Sequence, residues 1–463
     1  MCSAVRSSKV ESSDKLERFE TDMIYKLEDN PPLMEKIFAA LQHISAIFVS
    51  IIAPGYIITT AINADLKTKA TVMSMCLLFS GIATFMQSKR SFGYVGSGLL
   101  SIQGTSFAFL GVLITTGKIG GVPLIMGTCL IGSLIPIIFA PYLRKLKRFF
   151  PPLVSGIVVF LIGATLMPVA IDNFAGGTAA KLNGTYGDPK NIILGAIVLL
   201  FVIIFQKIDN KILRIGSILF ASVIGFLIAI PMGLVNFSVA SNSALFSIPV
   251  PMQLGLTFGW ATILPVIIIY FVSCVEAIGD ITATAMISGE PIRGDKHMSR
   301  MSGGIFASGI CSFFGSFFGA MPLACFSQNN GIIQITGVAS RHVGYYIAGF
   351  LIIAGLIPVV SVGFSIIPPP VIGGALLMMF GTILAAGIKI LSTEVLDRRA
   401  FIIIATAVGC GFAVTYPGFL DKFPDIIKDS LSSGIGTGGL VAIIMNIVIP
   451  KEKSVLTVKR QSN

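Results

Sequence analysis

The sequence predicts an all-α polytopic membrane protein of 14 transmembrane segments. They are expected as two inverted repeats of seven, with short extended stretches in broken segments 3 and 10. Composition, the placement of Lys and Arg, and two local patterns recurring seven segments apart carry this expectation. Of the 463 residues 54% are hydrophobic and only 12% charged, and mean hydropathy is +0.88, which places the chain in the membrane class. A span needs about 20 mainly apolar residues. Such runs lie at 37–58, 70–88, 95–116, 121–141, 151–171, 190–206, 212–235, 260–286, 301–319, 322–340, 342–364, 368–391, 399–416 and 431–450.

The basic residues test that segmentation independently. With the N-terminus cytoplasmic, 26 of the 33 Lys and Arg fall on the inner side, as the positive-inside rule requires. A miscount by one span would scramble the bias. The formal charge of +11 follows from the same asymmetry and points to anionic inner-leaflet lipid, not nucleic acid.

Pro151-Pro152 opens segment 5 and Pro368-Pro369-Pro370 opens segment 12, which sets Val154 against Val371 at an offset of 217 residues. The two glycine-rich broken segments, 3 and 10, are also seven apart. An odd number of spans reverses orientation, so the repeats are inverted. Proline is common at helix N-termini, so coincidence is the competing reading.

Along the chain, Leu16, Phe19, Met23 and Leu27 recur at helical spacing. They fit a short helix on the inner membrane surface or a disordered tail. Segment 1 carries Gln42-His43, and polar groups at membrane depth face the bundle interior or a cavity; His43 is either structural or part of a site. In segment 3, Gly93, Gly96 and Gly98 precede Ser101 and Gln103-Gly104-Thr105-Ser106-Phe107. Extended backbone leading into a half-helix is expected there, with close glycine packing as the alternative. Segment 8 supplies Glu276 and Asp280, four apart and so on one helix face. Asp280 lies either at depth or nearer the cytoplasmic end. Segment 10 is interrupted by Gln328, Asn329, Asn330 and Gly331, whose polar groups cannot face lipid; a substrate cavity or a kink closed by neighbours would satisfy them. His297, Arg293, Lys296 and Arg300 read as a solvated cytoplasmic turn, and Trp260 as an interfacial anchor. The seven cysteines show no paired spacing and suit neither a disulfide framework nor a metal site.

Two half-helix N-termini would turn free N–H groups toward the midplane. Glu276 adds acceptor oxygens and Gln328 both a donor and an acceptor. That set complements a flat, neutral heterocycle with adjacent N–H and C=O groups, with Phe107 stacking on its face. An anion site would not want the acid, and an enzyme would need a nucleophile with its base or a metal cluster, which the scattered Cys and His do not supply. Glu276 or Asp280 could carry a coupling proton, or bind sodium.

The run Gln328-Asn329-Asn330-Gly331 through Thr336 resembles the signature of the nucleobase-ascorbate transporter family, and Val338-Ala339-Ser340-Arg341 looks like its bacterial xanthine permeases. Segments 1, 3 and 8 and the stretch Tyr25-Lys26-Leu27-Glu28-Asp29 before Pro31-Pro32 fall where that family has motifs. The resemblance implies a cytoplasmic N-terminal segment (1–36), a core domain (37–141 and 260–364), a gate domain (151–235 and 368–450) and a cytoplasmic tail (451–463). It implies import of a purine nucleobase, xanthine first, by alternating access in the inner (plasma) membrane. A urate or uracil permease, or an anion transporter or channel of the same architecture, are the alternatives. By position, Glu276 and Gln328 would bind the purine, with Phe107, Ser327 and Asn329 contributing and His43, Asp280, Ser106 and Asn330 in support. Some relatives carry an acid at the place of Ser308 and Asn at that of Ser106. The family implies a proton as coupling ion more than sodium, no cofactor or metal, and no partner beyond the purine and the bilayer except a second copy in a homodimer.

Overall fold

The computed structural model describes residues 23–146, 151–210, 213, 214, 216–235, 248–292, 294–326, 328–392, 394, 396–416, 418–420, 422, 423, 431 and 433–449. Ser327, residues 1–22 and the tail 451–463 lie outside them. In chain order the elements are α1 (Leu33–Ala61), α2 (Leu66–Lys89), β1 (Gln103–Thr105), α3 (Leu110–Gly132), α4 (Leu134–Leu146), α5 (Pro152–Phe174), α6 (Gly177–Asn183), α7 (Pro189–Lys207) and α8 (Ser217–Ala229). There follow α9 (Trp260–Ile287), α10 (Gly294–Phe318), β2 (Leu323–Cys325), α11 (Gln328–Thr336), α12 (Arg341–Leu356), α13 (Pro358–Ser365), α14 (Pro369–Leu391), α15 (Arg398–Thr415) and α16 (Gly434–Val448). Each of the fourteen expected segments finds a helix. Among the described residues nine helical stretches are long and apolar enough to cross a membrane, and α8, α12 and α16 are shorter apolar ones.

Segment 3 is broken as expected. β1 leads into a 3₁₀ turn at Phe107–Phe109 and then α3. Gly120 and Gly121 leave helical geometry, the latter at φ 69°, and that break separates segment 3 from segment 4. Segment 10 repeats the device with β2 followed by α11. The strands pair antiparallel, Gln103 with Cys325, Gly104 with Ala324 and Thr105 with Leu323. The Phe326 N–H donates to the Ile102 carbonyl (2.9 Å) and the Ser106 N–H to that of Pro322 (2.9 Å), so the crossing satisfies its own backbone at membrane depth.

Inversion of the repeats is visible where α5 packs antiparallel on α14. A Cβ on Gly156 would stand 2.8 Å from the Leu391 side chain, and one on Gly373 2.2 Å from the Phe174 backbone nitrogen. The 217-residue offset turns the first pair into the second. Both helices also open on proline, Pro151 and Pro368 capping with extended backbone.

Two expectations are corrected. α10 starts at Gly294, so His297 and Arg300 are buried (1% and 4% exposed) and not in a solvated turn. Arg300 is accommodated because it pairs with Glu290 (2.9 Å) and donates to the Gly98 carbonyl (3.2 Å), which offsets removal of its charge from water. The described end of the proposed surface helix is not helical: Tyr25 forms a β-bridge to Val338 and Leu27 is buried.

Gly373→Ala is expected to lower the thermal melting temperature of the purified protein, since overpacking against backbone costs about 1–3 kcal/mol. Gly381→Ala, on the same helix with nothing near its Cβ position, is the control and should not lower it.

Candidate functional site

The strand crossing places two half-helix starts and one α9 side chain around a single cavity. Ser106, Phe107, Glu276, Cys325, Phe326 and Gln328 line one side, and Val159 and Ile162 of α5 with Ile383 and Ala386 of α14 line the other. The cavity holds about 40 Å³, room for a few waters. A bicyclic ring would need the two walls further apart.

Glu276 Oε2 is buried without a hydrogen-bond partner. An acceptor this costly to bury is expected to meet a donor, and the cavity is where one can come from. One turn on, Asp280 is buried at 9% exposure. The Thr284 hydroxyl then donates to Asn330 Oδ1 (2.7 Å), tying α9 to α11.

Asn329 sits behind Gln328. Its Nδ2 donates to the Leu100 carbonyl and its backbone N–H to that of Phe326 (3.1 Å). Fully buried His43 on α1 lies within interaction range of the Asn329 side chain, though neither ring nitrogen makes a hydrogen bond of regular geometry. Glu276, Gln328, Phe107 and Ser106 thus share the cavity, while His43, Asp280, Asn329 and Asn330 are not among its lining residues. Phe107 also meets Phe380 of α14 edge-to-face at 5.4 Å.

Sequence reasoning missed a second layer. Gln103 Nε2 donates to Cys325 Sγ (2.9 Å), its Oε1 accepts from the Ser308 hydroxyl (2.9 Å), and its N–H donates to Thr84 Oγ1 (3.1 Å). Gln87 Nε2 reaches Ser308 Oγ (3.3 Å) and the Gly304 carbonyl (2.8 Å), while its Oε1 accepts from the Ser97 N–H (2.9 Å). The signal was present: Gln87 is an amide inside an apolar helix. The aliphatic wall of α5 and α14 had no such signal. Among the described residues no group of three or more His, Cys, Asp or Glu could hold a metal ion.

A family model described as "Permease family" (Xan_ur_permease) matches residues 34–417. The chain belongs to the nucleobase-ascorbate transporter family. Over 444 residues this permease is 42% identical to xanthine permease XanP of Escherichia coli K12, covering 94% of this chain and 96% of that one. It is 41% identical over 440 residues to XanQ of the same organism, covering 93% and 94%. Uric acid permease PucJ of Bacillus subtilis 168 is 33% identical over 434 residues, covering 92% and 95%. In fold the permease is similar to the transmembrane domain of the cyanobacterial bicarbonate transporter BicA (TM-score 0.57, 16% identity, 92% of this chain and 100% of that one). It is also similar to the murine anion transporter Slc26a9 in its inward-facing state (TM-score 0.62, 12% identity, 95% and 70%). The permease is a multi-pass membrane protein.

Ser308→Ala is expected to leave Gln103 Oε1 and Gln87 Nε2 each short of a buried partner, at about 1–3 kcal/mol. Melting temperature should fall, and Ser308→Thr, which keeps the hydroxyl, should recover most of it.

Proposed function

We propose that this permease imports a purine nucleobase, xanthine first, by proton symport. The observation that carries the reading is that Glu276 and Gln328 line the same cavity, with one buried Glu276 oxygen left without a protein partner. A purine dione presents ring N–H groups that donate to such a carboxylate, and a lactam edge that pairs with a carboxamide both ways. Phe107 offers the ring face a quadrupolar partner. The relatives XanP, XanQ and PucJ, named as xanthine and uric acid permeases, support the substrate class. An anion would meet the Glu276 charge head-on, so likeness to anion transporters argues for the architecture alone.

The ligating groups lie within 37–141 and 260–364, the proposed core domain. The facing wall, in 151–235 and 368–450, is hydrocarbon at Val159, Ile162, Ile383 and Ala386. A loaded core moving past such a wall breaks no hydrogen bonds to it, which favours alternating access by core against gate. A proton carried on the Glu276–Asp280 pair cancels one of two charges that the bilayer penalises. Placement in the inner membrane with both termini cytoplasmic rests on the Lys and Arg bias; assembly as a homodimer belongs to the same proposal.

Uptake of radiolabelled xanthine in cells tests this. It should collapse with a protonophore and in Glu276→Gln, and excess urate should compete better than uracil. In Gln328→Glu the base preference should change, because a donor facing the lactam oxygen is lost. Undiminished uptake by Glu276→Gln would remove the assigned ligand.

A further inference from the structure

The half-helix α11 is nine residues long, about 13 Å at 1.5 Å per residue, and helices so short do not stand alone in water. Its N-terminal end is tied to the crossing through Asn329 and to α9 through Asn330. Its other end stops at Gly337, held at φ 69°, and there meets the stretch Ile24–Asp29.

The Ile24 and Tyr25 N–H groups both donate to the Gly337 carbonyl (2.8 and 3.1 Å), the Ala339 N–H donates to that of Tyr25 (2.9 Å), and the Arg341 N–H to that of Leu27 (3.1 Å). The Ser340 hydroxyl donates to the Asp29 carbonyl at 2.6 Å, and Arg341 pairs with Glu28. The stretch is anchored elsewhere as well. Tyr25 donates its hydroxyl to Glu35 in the first turn of α1 (2.6 Å). Leu27, 2% exposed, packs in one apolar cluster with Ala277 and Ile281 of α9 and with Cys325 of β2. It therefore joins α1, α9 and the far end of α11.

We propose that Ile24–Asp29 is a positioning strap for the binding half-helix. It fixes the height of α11 against α9, and so sets the spacing of Gln328 from Glu276 at the other end of the same short helix. Displacement of the strapped end turns Gln328 about the Asn329 and Asn330 ties, because a helix of this length moves as a rigid piece, and so re-aims its carboxamide relative to Glu276. Leu27 is a positioning residue that touches no substrate. The inference rests on the assignment of Gln328 and Glu276 as purine ligands.

The test combines xanthine uptake, normalised to the amount of protein in the membrane, with amide hydrogen exchange on the purified full chain. For Leu27→Ala the KM should rise about tenfold while kcat stays within about twofold. Exchange across 328–336 should quicken, and Leu27→Met should restore both. Wild-type KM and exchange in membrane-inserted Leu27→Ala would overturn the strap. If that variant does not reach the membrane, the charge pair decides: Glu28→Arg and Arg341→Glu should each raise KM by about two- to fivefold, and the double exchange should recover it. Equal KM in all three would overturn it too. Exchange needs no substrate, so a wild type that carries no xanthine defeats the purine reading and leaves the strap to be judged on 328–336 alone.

Discussion

Three residues of β1 against three of β2 are the constraint on which the binding region depends. A helix broken inside a bilayer exposes N–H and C=O groups that lipid cannot satisfy, at several kcal/mol each. Here each broken segment satisfies the other. The antiparallel register brings both half-helix starts, Phe107 and Gln328, to the same cavity, which neither segment could form alone. Gly104 shows how tight the fit is: a Cβ there would lie 2.2 Å from the Phe326 ring.

Behind the crossing, Gln103, Ser308, Gln87 and Thr84 link β1 to α10 and α2 with neutral hydrogen bonds. Each amide there is satisfied on both sides, the condition under which a buried polar network rigidifies its surroundings. In front of it, the wall from α5 and α14 is aliphatic. Polar chemistry is thus concentrated on one side of the cavity and slippery surface on the other. That division suits a mechanism in which ligands stay with one body while the other slides.

Much of this was legible in the residues. Apolar run length located the fourteen segments, because a bilayer imposes span length. Pro151 and Pro368 announced the repeat since proline is favoured at a helix start and both stand at the head of an apolar run, 217 residues apart. Glu276, Gln328 and His43 stood out because polar groups at depth are costly. The partners were not legible. That Gln103 would face Cys325 depends on a register set more than 200 residues apart in sequence. Arg300 read as solvated because its Glu290 and Gly98 partners come from other elements, and Val159, Ile162, Ile383 and Ala386 look like any core residues until the fold aligns them. Leu27, read as one face of a surface helix, owes its burial to backbone pairing with 337–341, which no periodicity encodes.

The two halves share a backbone plan but not its chemistry. Where the first half-helix begins with Phe107, the second begins with Gln328, and the acids Glu276 and Asp280 of α9 belong to the second half. A symmetric pair of amides and acids would put two carboxylates around one small cavity, and their repulsion would have to be relieved before any neutral ring could enter. An aromatic face from one repeat and a hydrogen-bonding edge from the other avoids that. In the proposed binding mode it would also orient a flat ring, with stacking fixing the plane and the carboxylate–amide pair the rotation within that plane. Inverted symmetry gives the two halves a common scaffold, and under the proposed binding mode the broken symmetry of its side chains would carry the selectivity.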